Sequence, residues 1–150
     1  QRLTKGGRPF TIYKFRSMRA DMELKDASGH VLAQPDDPRI TPVGRFIRKH
    51  RIDEIPQLYN VLVGDMSLVG PRPVWKEFYD QQREELPLFD RRLVVRPGLA
   101  SLSHVLGSYT STPEDRLRYD LVYINTLSFD VDLRVLLSTV RVVLSGRGAQ

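Results

Sequence analysis

The sequence predicts an α+β fold: a single, predominantly helical domain with a small antiparallel β element near the N-terminus. Three observations predict it. After position 41, apolar residues recur at helical spacing in several segments. Ahead of them, a stretch rich in Thr, Ile, Tyr and Phe follows the pair Gly6-Gly7. The chain of 150 residues fits one domain, with 41% apolar and 27% charged residues, the balance of a chain that encloses a core.

Residues 8–19 (RPFTIYKFRSMR) read as a strand, with Gly6-Gly7 as the hairpin turn before it. Only residues 1–4 remain for its partner, so the chain is read as starting inside an element of something longer. Residues 21–39 are polar, contain Gly29 and Pro35-Asp36-Asp37-Pro38, and read as a short helix followed by a loop. Residues 41–50 (TPVGRFIRKH) open a helix with Thr41 as N-cap and Pro42 in the first position. Arg45, Arg48 and Lys49 then gather on one side, and Val43, Phe46 and Ile47 on the other.

The next helix starts inside RIDEIPQLYN, residues 51–60. Pro56 is tolerated only in a first turn, and Asp53 suits the N-cap. Ile55, Leu58, Tyr59 and Leu62 form the expected core face, and Gly64 the stop. Gly70-Pro71-Arg72-Pro73 cannot be helix interior; its two prolines stiffen the backbone around one arginine. Residues 75–85 read as an amphipathic helix and residues 91–96 as a strand running into the turn Arg96-Pro97-Gly98. Residues 113–126 and 130–144 read as two more helices. The last is apolar almost all round, hence a buried core helix. Its other reading is a helix resting on lipid with Arg134 and Arg141 at the headgroups.

Composition excludes several classes of chemistry. With no cysteine there is no disulfide, thiolate zinc site or thiol nucleophile. The three histidines, His30, His50 and His104, lie far apart, which disfavours a zinc site or a histidine-centred triad. A bound metal should then be a hard cation on oxygen ligands, with magnesium leading. No apolar run approaches the ~20 residues of a membrane-spanning helix. The net charge of +5 suits a partner that is nucleic acid, anionic lipid or a phosphorylated substrate.

Asp53 and Glu54 stand side by side in this basic chain. Capping explains one such acid, because a helix start favours anions. Arg48, Arg51, Arg72 and Arg96 on surrounding loops and element ends make a second explanation available. Cations would hold phosphoryl oxygens while carboxylates bind a metal or attack phosphorus. A carboxylate ~4 Å from one phosphate charge is repelled by roughly 4 kcal/mol at an effective dielectric of 20, so acids and cations are needed together.

Residues 37–73 (DPRITPVGRFIRKHRIDEIPQLYNVLVGDMSLVGPRP) closely resemble the bacterial sugar transferases, the monotopic phosphoglycosyl transferases. The resemblance continues in KFRSM (14–18), RPG (96–98) and VRVVLSGRGA (140–149), and so spans nearly the whole chain. It implies transfer of a sugar 1-phosphate from a UDP-sugar to polyprenyl phosphate, usually undecaprenyl phosphate, with release of UMP. Such a reaction initiates bacterial polysaccharide, exopolysaccharide or glycoconjugate synthesis. It also implies a covalent phosphosugar-aspartyl intermediate on Asp53, magnesium (Mg2+) held by Glu54 with Asp53 sharing it, and phosphate or substrate contacts from Arg48, Arg72, Lys14 and Arg96. The family's apolar re-entrant helix precedes the KFRSM strand. This sequence does not contain it and is read as the catalytic domain alone, residues 1–150, of a parent at the cytoplasmic face of the bacterial inner membrane. After RPG the family pattern Gly-Ile-Thr-Gly is replaced by Gly98-Leu99-Ala100-Ser101, with His104 near the usual Gln and read as structural. His50-Arg51 likewise replaces small polar residues.

Two other classes fit the composition less well. A basic nucleic-acid-binding domain would need a recognition helix or an aromatic RNA-binding signature, and neither is present. A catalytically silent scaffold of the same family is at odds with the intact Asp53, Glu54 and Arg72.

Overall fold

The computed structural model describes residues 1–19, 37–107 and 112–145. The chain opens with the expected hairpin: β1 (Arg2–Leu3) pairs antiparallel with β2 (Pro9–Phe10), Arg2 facing Phe10. Gly6 and Gly7 turn the chain at φ +72° and +77°, a region that only glycine enters freely. The strand expected to reach residue 19 stops at Phe10. The extended segment after it has no long strand alongside among the described residues, and a side chain takes its backbone bonds instead. Asn60 donates from Nδ2 to the carbonyl of Thr11 (2.8 Å) and accepts from the amide of Tyr13 (3.2 Å). The short helix expected from residue 21 lies outside the described residues.

Helix α1 (Pro42–Lys49) forms as its sequence requires, with the Thr41 side chain accepting from the amide of Gly44. Its inward face is the glycine. A Cβ on Gly44 would sit 1.9 Å from the carbonyl oxygen of Ser17, so the helix packs there backbone to backbone. Val43 and Phe46, expected on the core side, are 70% and 59% exposed.

Helix α2 (Gln57–Leu62) overturns the expected face more completely. Asp53 is not its N-cap. A separate 3-10 turn, Ile52–Glu54, comes first, and Pro56 caps α2 without a side-chain bond. Ile55, Leu58, Tyr59 and Leu62 point outward, Leu62 at 84% exposure, while Gln57 and Asn60 are buried. The need to satisfy the unpaired backbone of residues 11–13 through Asn60 outweighs apolar periodicity. Gly64 ends the segment at φ +84°, as its position suggests.

Two short strands, neither expected, set up the rest. β3 (Ser67–Val69) and β4 (Gly98–Ala100) run parallel. Behind them the chain bends at Gly70, and Gly98 donates to the carbonyl of Pro71 (2.9 Å). A Cβ on Gly98 would lie 2.0 Å from the amide nitrogen of Gly70, so this crossing requires glycine. Helix α3 (Lys76–Glu85) matches expectation. The strand expected over residues 91–96 is instead a 3-10 segment, Phe89–Val94. Phe89 and Leu93 enter one core and the Arg92 side chain is also buried, an inward spacing of three to four that a strand cannot give.

Helices α4 (Leu102–Leu106), α5 (Pro113–Asn125) and α6 (Phe129–Ser145) close the structure. Thr112 and Asp115 form a capping box at the start of α5. One core gathers Leu3, Tyr79, Phe89 and Leu117; the other gathers Val69, Ala100, Tyr123 and Val135 around the parallel strands. The expectation of a fully buried α6 is corrected. Val135 is buried, yet Phe129 and Leu144 are 83% and 78% exposed. No helix among the described residues is long and apolar enough to cross a membrane.

Candidate active site

The acid pair sits on the 3-10 turn between α1 and α2, pinned where the amide of Phe15 donates to the carbonyl of Asp53 (2.9 Å). Arg51 enters this turn at φ 53°, a left-handed conformation that costs a non-glycine residue about 1–2 kcal/mol. That bend turns the two neighbouring carboxylates into different surroundings. Glu54 is 6% exposed and Asp53 is half-buried.

Glu54 is held by three cations. The Arg72 guanidinium bonds both carboxylate oxygens, Nη1 to Oε2 at 3.2 Å and Nη2 to Oε1 closer still. Lys14 Nζ donates to Oε1 at 3.1 Å, and Arg51 Nη1 lies 3.6 Å from Oε2. Burial alone would push the Glu54 carboxyl up. Arg72, Lys14 and Arg51 outweigh it and hold the group well below the usual carboxylate range. Asp53 has no ion pair among the described residues. Burial and then the neighbouring Glu54 push its carboxyl up, with Lys14 and Arg48 opposing. One acid is locked as an anion within a cationic cage; the other is left open to a ligand.

The cage is braced from behind. Arg92 Nη2 donates to the backbone carbonyl of Arg72 (3.0 Å), and Arg92 Nε donates to Asp120 Oδ2 on α5 (2.7 Å). Arg92 and Asp120 are both buried. Pro71 and Pro73 restrict the same segment, so Arg72 is fixed by covalent geometry and by hydrogen bonds.

Of the residues singled out in the sequence, the structure brings together Lys14, Arg48, Asp53, Glu54 and Arg72. Arg96 is not among the charges that chiefly act on the acid pair. Its guanidinium lies over Gly64, 3.9 Å from where a Cβ would stand, and lines a separate groove of about 380 Å³ with Val61, Phe129 and Asp132. His104, read as structural, lies within the electrostatic reach of these charges. Arg72, Arg51, Glu54 and Arg116 all act on it, and burial followed by those arginines lowers its imidazole to about 2. Arg92 and Asp120 carried no motif. Their only trace in the sequence is an arginine and an aspartate at otherwise inward-facing positions.

Among the described residues no cluster of three or more Asp, Glu, His or Cys stands ready as a metal cage. Two adjacent carboxylates suit magnesium when substrate phosphates complete its shell, because that ion commonly takes one or two protein carboxylates and several waters. Glu54 retains lone pairs beyond those used by Arg72 and Lys14, so the donor set fits in that limited sense.

An open carboxylate beside a cationic cage suits chemistry on phosphates. Residues 1–146 match the family described as bacterial sugar transferase. The chain belongs to that family. It is 43% identical to a UDP-N-acetylgalactosamine-undecaprenyl-phosphate N-acetylgalactosaminephosphotransferase of Aeromonas hydrophila, covering 99% of this chain and 35% of the relative. It is 37% identical to an undecaprenyl-phosphate galactose phosphotransferase of Salmonella typhimurium, over 99% of this chain and 33% of the relative. A UDP-glucose:undecaprenyl-phosphate glucose-1-phosphate transferase of Caulobacter vibrioides is 43% identical over 93% of this chain and 53% of its own length. This bacterial sugar transferase domain thus spans from a third to about half of these relatives.

Proposed function

We propose that the protein transfers a sugar 1-phosphate from a UDP-sugar to a polyprenyl phosphate and releases UMP. The observation that carries this reading is the asymmetry of the acid pair: Glu54 is bound by Arg72, Lys14 and Arg51, whereas the Asp53 carboxylate makes no ion pair among the described residues. The names of the relatives support the sugar phosphate and undecaprenyl phosphate parts of the reading.

Asp53 is the nucleophile. A carboxylate oxygen attacks the sugar-bearing phosphorus, the phosphoanhydride bond to UMP breaks, and its electron pair leaves on the UMP phosphate. The lipid phosphate then attacks the same phosphorus, and the Asp53–phosphorus bond breaks in turn. Splitting one displacement into two is the general logic of covalent catalysis. Lys14 and Arg48 beside Asp53 offset the roughly 4 kcal/mol by which one phosphate charge ~4 Å away would repel it. Glu54 would hold magnesium with Asp53, and the bound ion would draw charge from the phosphoryl oxygens. Arg72 orients Glu54 and faces the phosphates.

The acceptor is a lipid, and the domain has a surface suited to it. Phe46 of α1, Ile55, and Leu58, Tyr59 and Leu62 of α2 are exposed on either side of the acid turn. Tyr13 joins them edge-on to Tyr59, with ring centroids 5.6 Å apart. Exposed Arg16, Arg45 and Lys49 flank this face, the pairing of apolar and basic residues that binds anionic lipid. Such docking would put Asp53 at headgroup level.

The test is UMP release from a panel of UDP-sugars with undecaprenyl phosphate and magnesium. Release from at least one sugar, dependent on the acceptor for multiple turnover, is expected. No release from any donor would reject the reading.

A further inference from the structure

We propose that Gln57 is a positioning residue for Glu54: in the substrate-loaded site its side-chain amide takes over the carboxylate oxygen that Lys14 and Arg51 release to the phosphates of the donor. The inference rests on the transferase reading above and gives a role to a residue which that reading leaves idle.

The geometry begins with the turn that carries the acid pair. The amide of Glu54 donates to the carbonyl of Arg51 and that of Ile55 to Ile52, both at 3.1 Å. Leu58 then donates to Ile55 (3.0 Å) and Tyr59 to Pro56 (3.1 Å), while Ile55 and Pro56 keep right-handed helical backbones. Hydrogen bonds three residues apart thus run from the acid turn into α2, and in such a winding side chains at that spacing stand one above another. Glu54, Gln57 and Asn60 have the spacing, and all three are buried. Gln57 therefore stacks on Glu54, with Cβ atoms about 5–6 Å apart. The extended segment ahead of α1 covers the stack. The amide of Phe15 bonds the Asp53 carbonyl at one end, and the amide of Tyr13 bonds Asn60 Oδ1 at the other. Gln57 lies between these two anchors.

The members of the stack are not equally engaged. Glu54 has Arg72, Lys14 and Arg51, and Asn60 has Thr11 and Tyr13. Gln57 is 1% exposed, yet neither Oε1 nor Nε2 of its amide has a hydrogen-bond partner among the described residues. Burying an amide unpaired weighs against the fold, and such groups are few in native proteins. The neighbouring carboxylate supplies a use for it. Lys14 and Arg51 touch Glu54 at 3.1 and 3.6 Å, each on one oxygen, whereas Arg72 grips both. A diphosphate offers these cations more charge than one carboxylate does, so the two single contacts are the first to move. Each departure strands a carboxylate lone pair that water reaches poorly. The Gln57 Nε2 group, three residues along the same face, fills it. Being a neutral donor, it holds Glu54 without cancelling the charge on which a metal ion would bind.

Urea melts of the free protein, donor kinetics and donor calorimetry test this together. Gln57→Met keeps the length of the side chain and removes the amide. With no bond to lose in the free protein, its urea midpoint should equal or exceed that of the wild type. Its kcat/KM for a productive UDP-sugar should nonetheless fall about tenfold or more, the usual loss when the support of a metal-binding side chain is removed. Calorimetry in the Asp53→Asn background, where nothing is transferred, should show a matching loss of donor affinity. Adding Glu54→Gln to that background should remove most of the effect of Gln57→Met, because the two residues act as a pair. A clearly lower urea midpoint, or a variant that fails to fold, overturns the inference, since the amide would then be paired already. Unchanged kcat/KM overturns it too, as does a loss that persists in full without the Glu54 carboxylate, which would put the amide on the donor itself. A wild type that releases no UMP from any UDP-sugar rejects the transferase reading and the inference with it.

Discussion

The guanidinium of Arg92 donates to the backbone carbonyl of Arg72 at 3.0 Å, so a buried charge on one core holds the arginine that grips Glu54. Asp120 receives the same guanidinium at 2.7 Å. Removing one partner of a buried pair typically costs about 3–5 kcal/mol. Arg92→Leu should therefore destabilise the fold by about that much in urea melts. Arg92→Lys keeps the charge but cannot reach Asp120 and the Arg72 carbonyl with the same fork. It should lower kcat by about tenfold or more with a smaller loss of stability. Equal kcat in Arg92→Lys and wild type would mean that Arg72 needs no brace.

Glu54→Gln should reduce turnover and weaken its dependence on magnesium. The substitution replaces an anion that three cations share, leaving Arg72, Lys14 and Arg51 to repel one another. A magnesium titration at fixed donor concentration checks this. An unchanged half-saturating magnesium concentration would assign the ion to other ligands.

His104 gives stability a pH dependence. Its folded-state imidazole is held far below the ordinary 6.5, to about 2, by burial and by Arg72 and Arg51. The unfolded chain therefore binds a proton that the folded chain refuses. The sign follows: His104 favours the fold fully above about pH 6.5, and this contribution falls as the medium is acidified toward pH 2. The slope is at most about 1.4 kcal/mol per pH unit. His104→Gln should flatten the decline of stability between pH 6 and pH 4, read from urea midpoints. Parallel curves for both proteins would place His104 in an ordinary solvated environment.

Much of the site was legible before the fold was known, and the parts that were not share a physical cause. Thr41, Pro42 and Gly64 announced helix ends because capping is local chemistry. The acid pair and Arg72 stood out because such residues seldom recur together by chance. The face of α2 was misread because apolar spacing assumes that burial decides orientation. Here Asn60 turns inward to bond Thr11 and Tyr13, a demand made by a segment far away in sequence. Residues 91–96 looked strand-like for the same reason: their side chains answer Asp120 and the Phe89 core, both set by tertiary contact. Arg96 illustrates the converse, a motif position whose side chain the fold turns into another groove.

The outward apolar face of α2 gives a prediction of its own. Leu62→Glu and Leu58→Glu should leave stability nearly unchanged, because both side chains are already exposed in the fold. They should reduce co-sedimentation with vesicles containing anionic lipid, and reduce turnover with undecaprenyl phosphate more than with a short, water-soluble polyprenyl phosphate. Unchanged vesicle binding in both variants would move the lipid contact elsewhere, with the exposed face of α6 as the next surface to test.

The account depends most on Asp53 as the nucleophile, and intact-protein mass spectrometry after mixing with a productive UDP-sugar and magnesium, without acceptor, measures that directly. The wild type should gain the mass of one sugar phosphate, located at Asp53 by peptide mapping. Asp53→Asn should gain none and release no UMP. An adduct that persists in Asp53→Asn, or that maps to another residue, would contradict it.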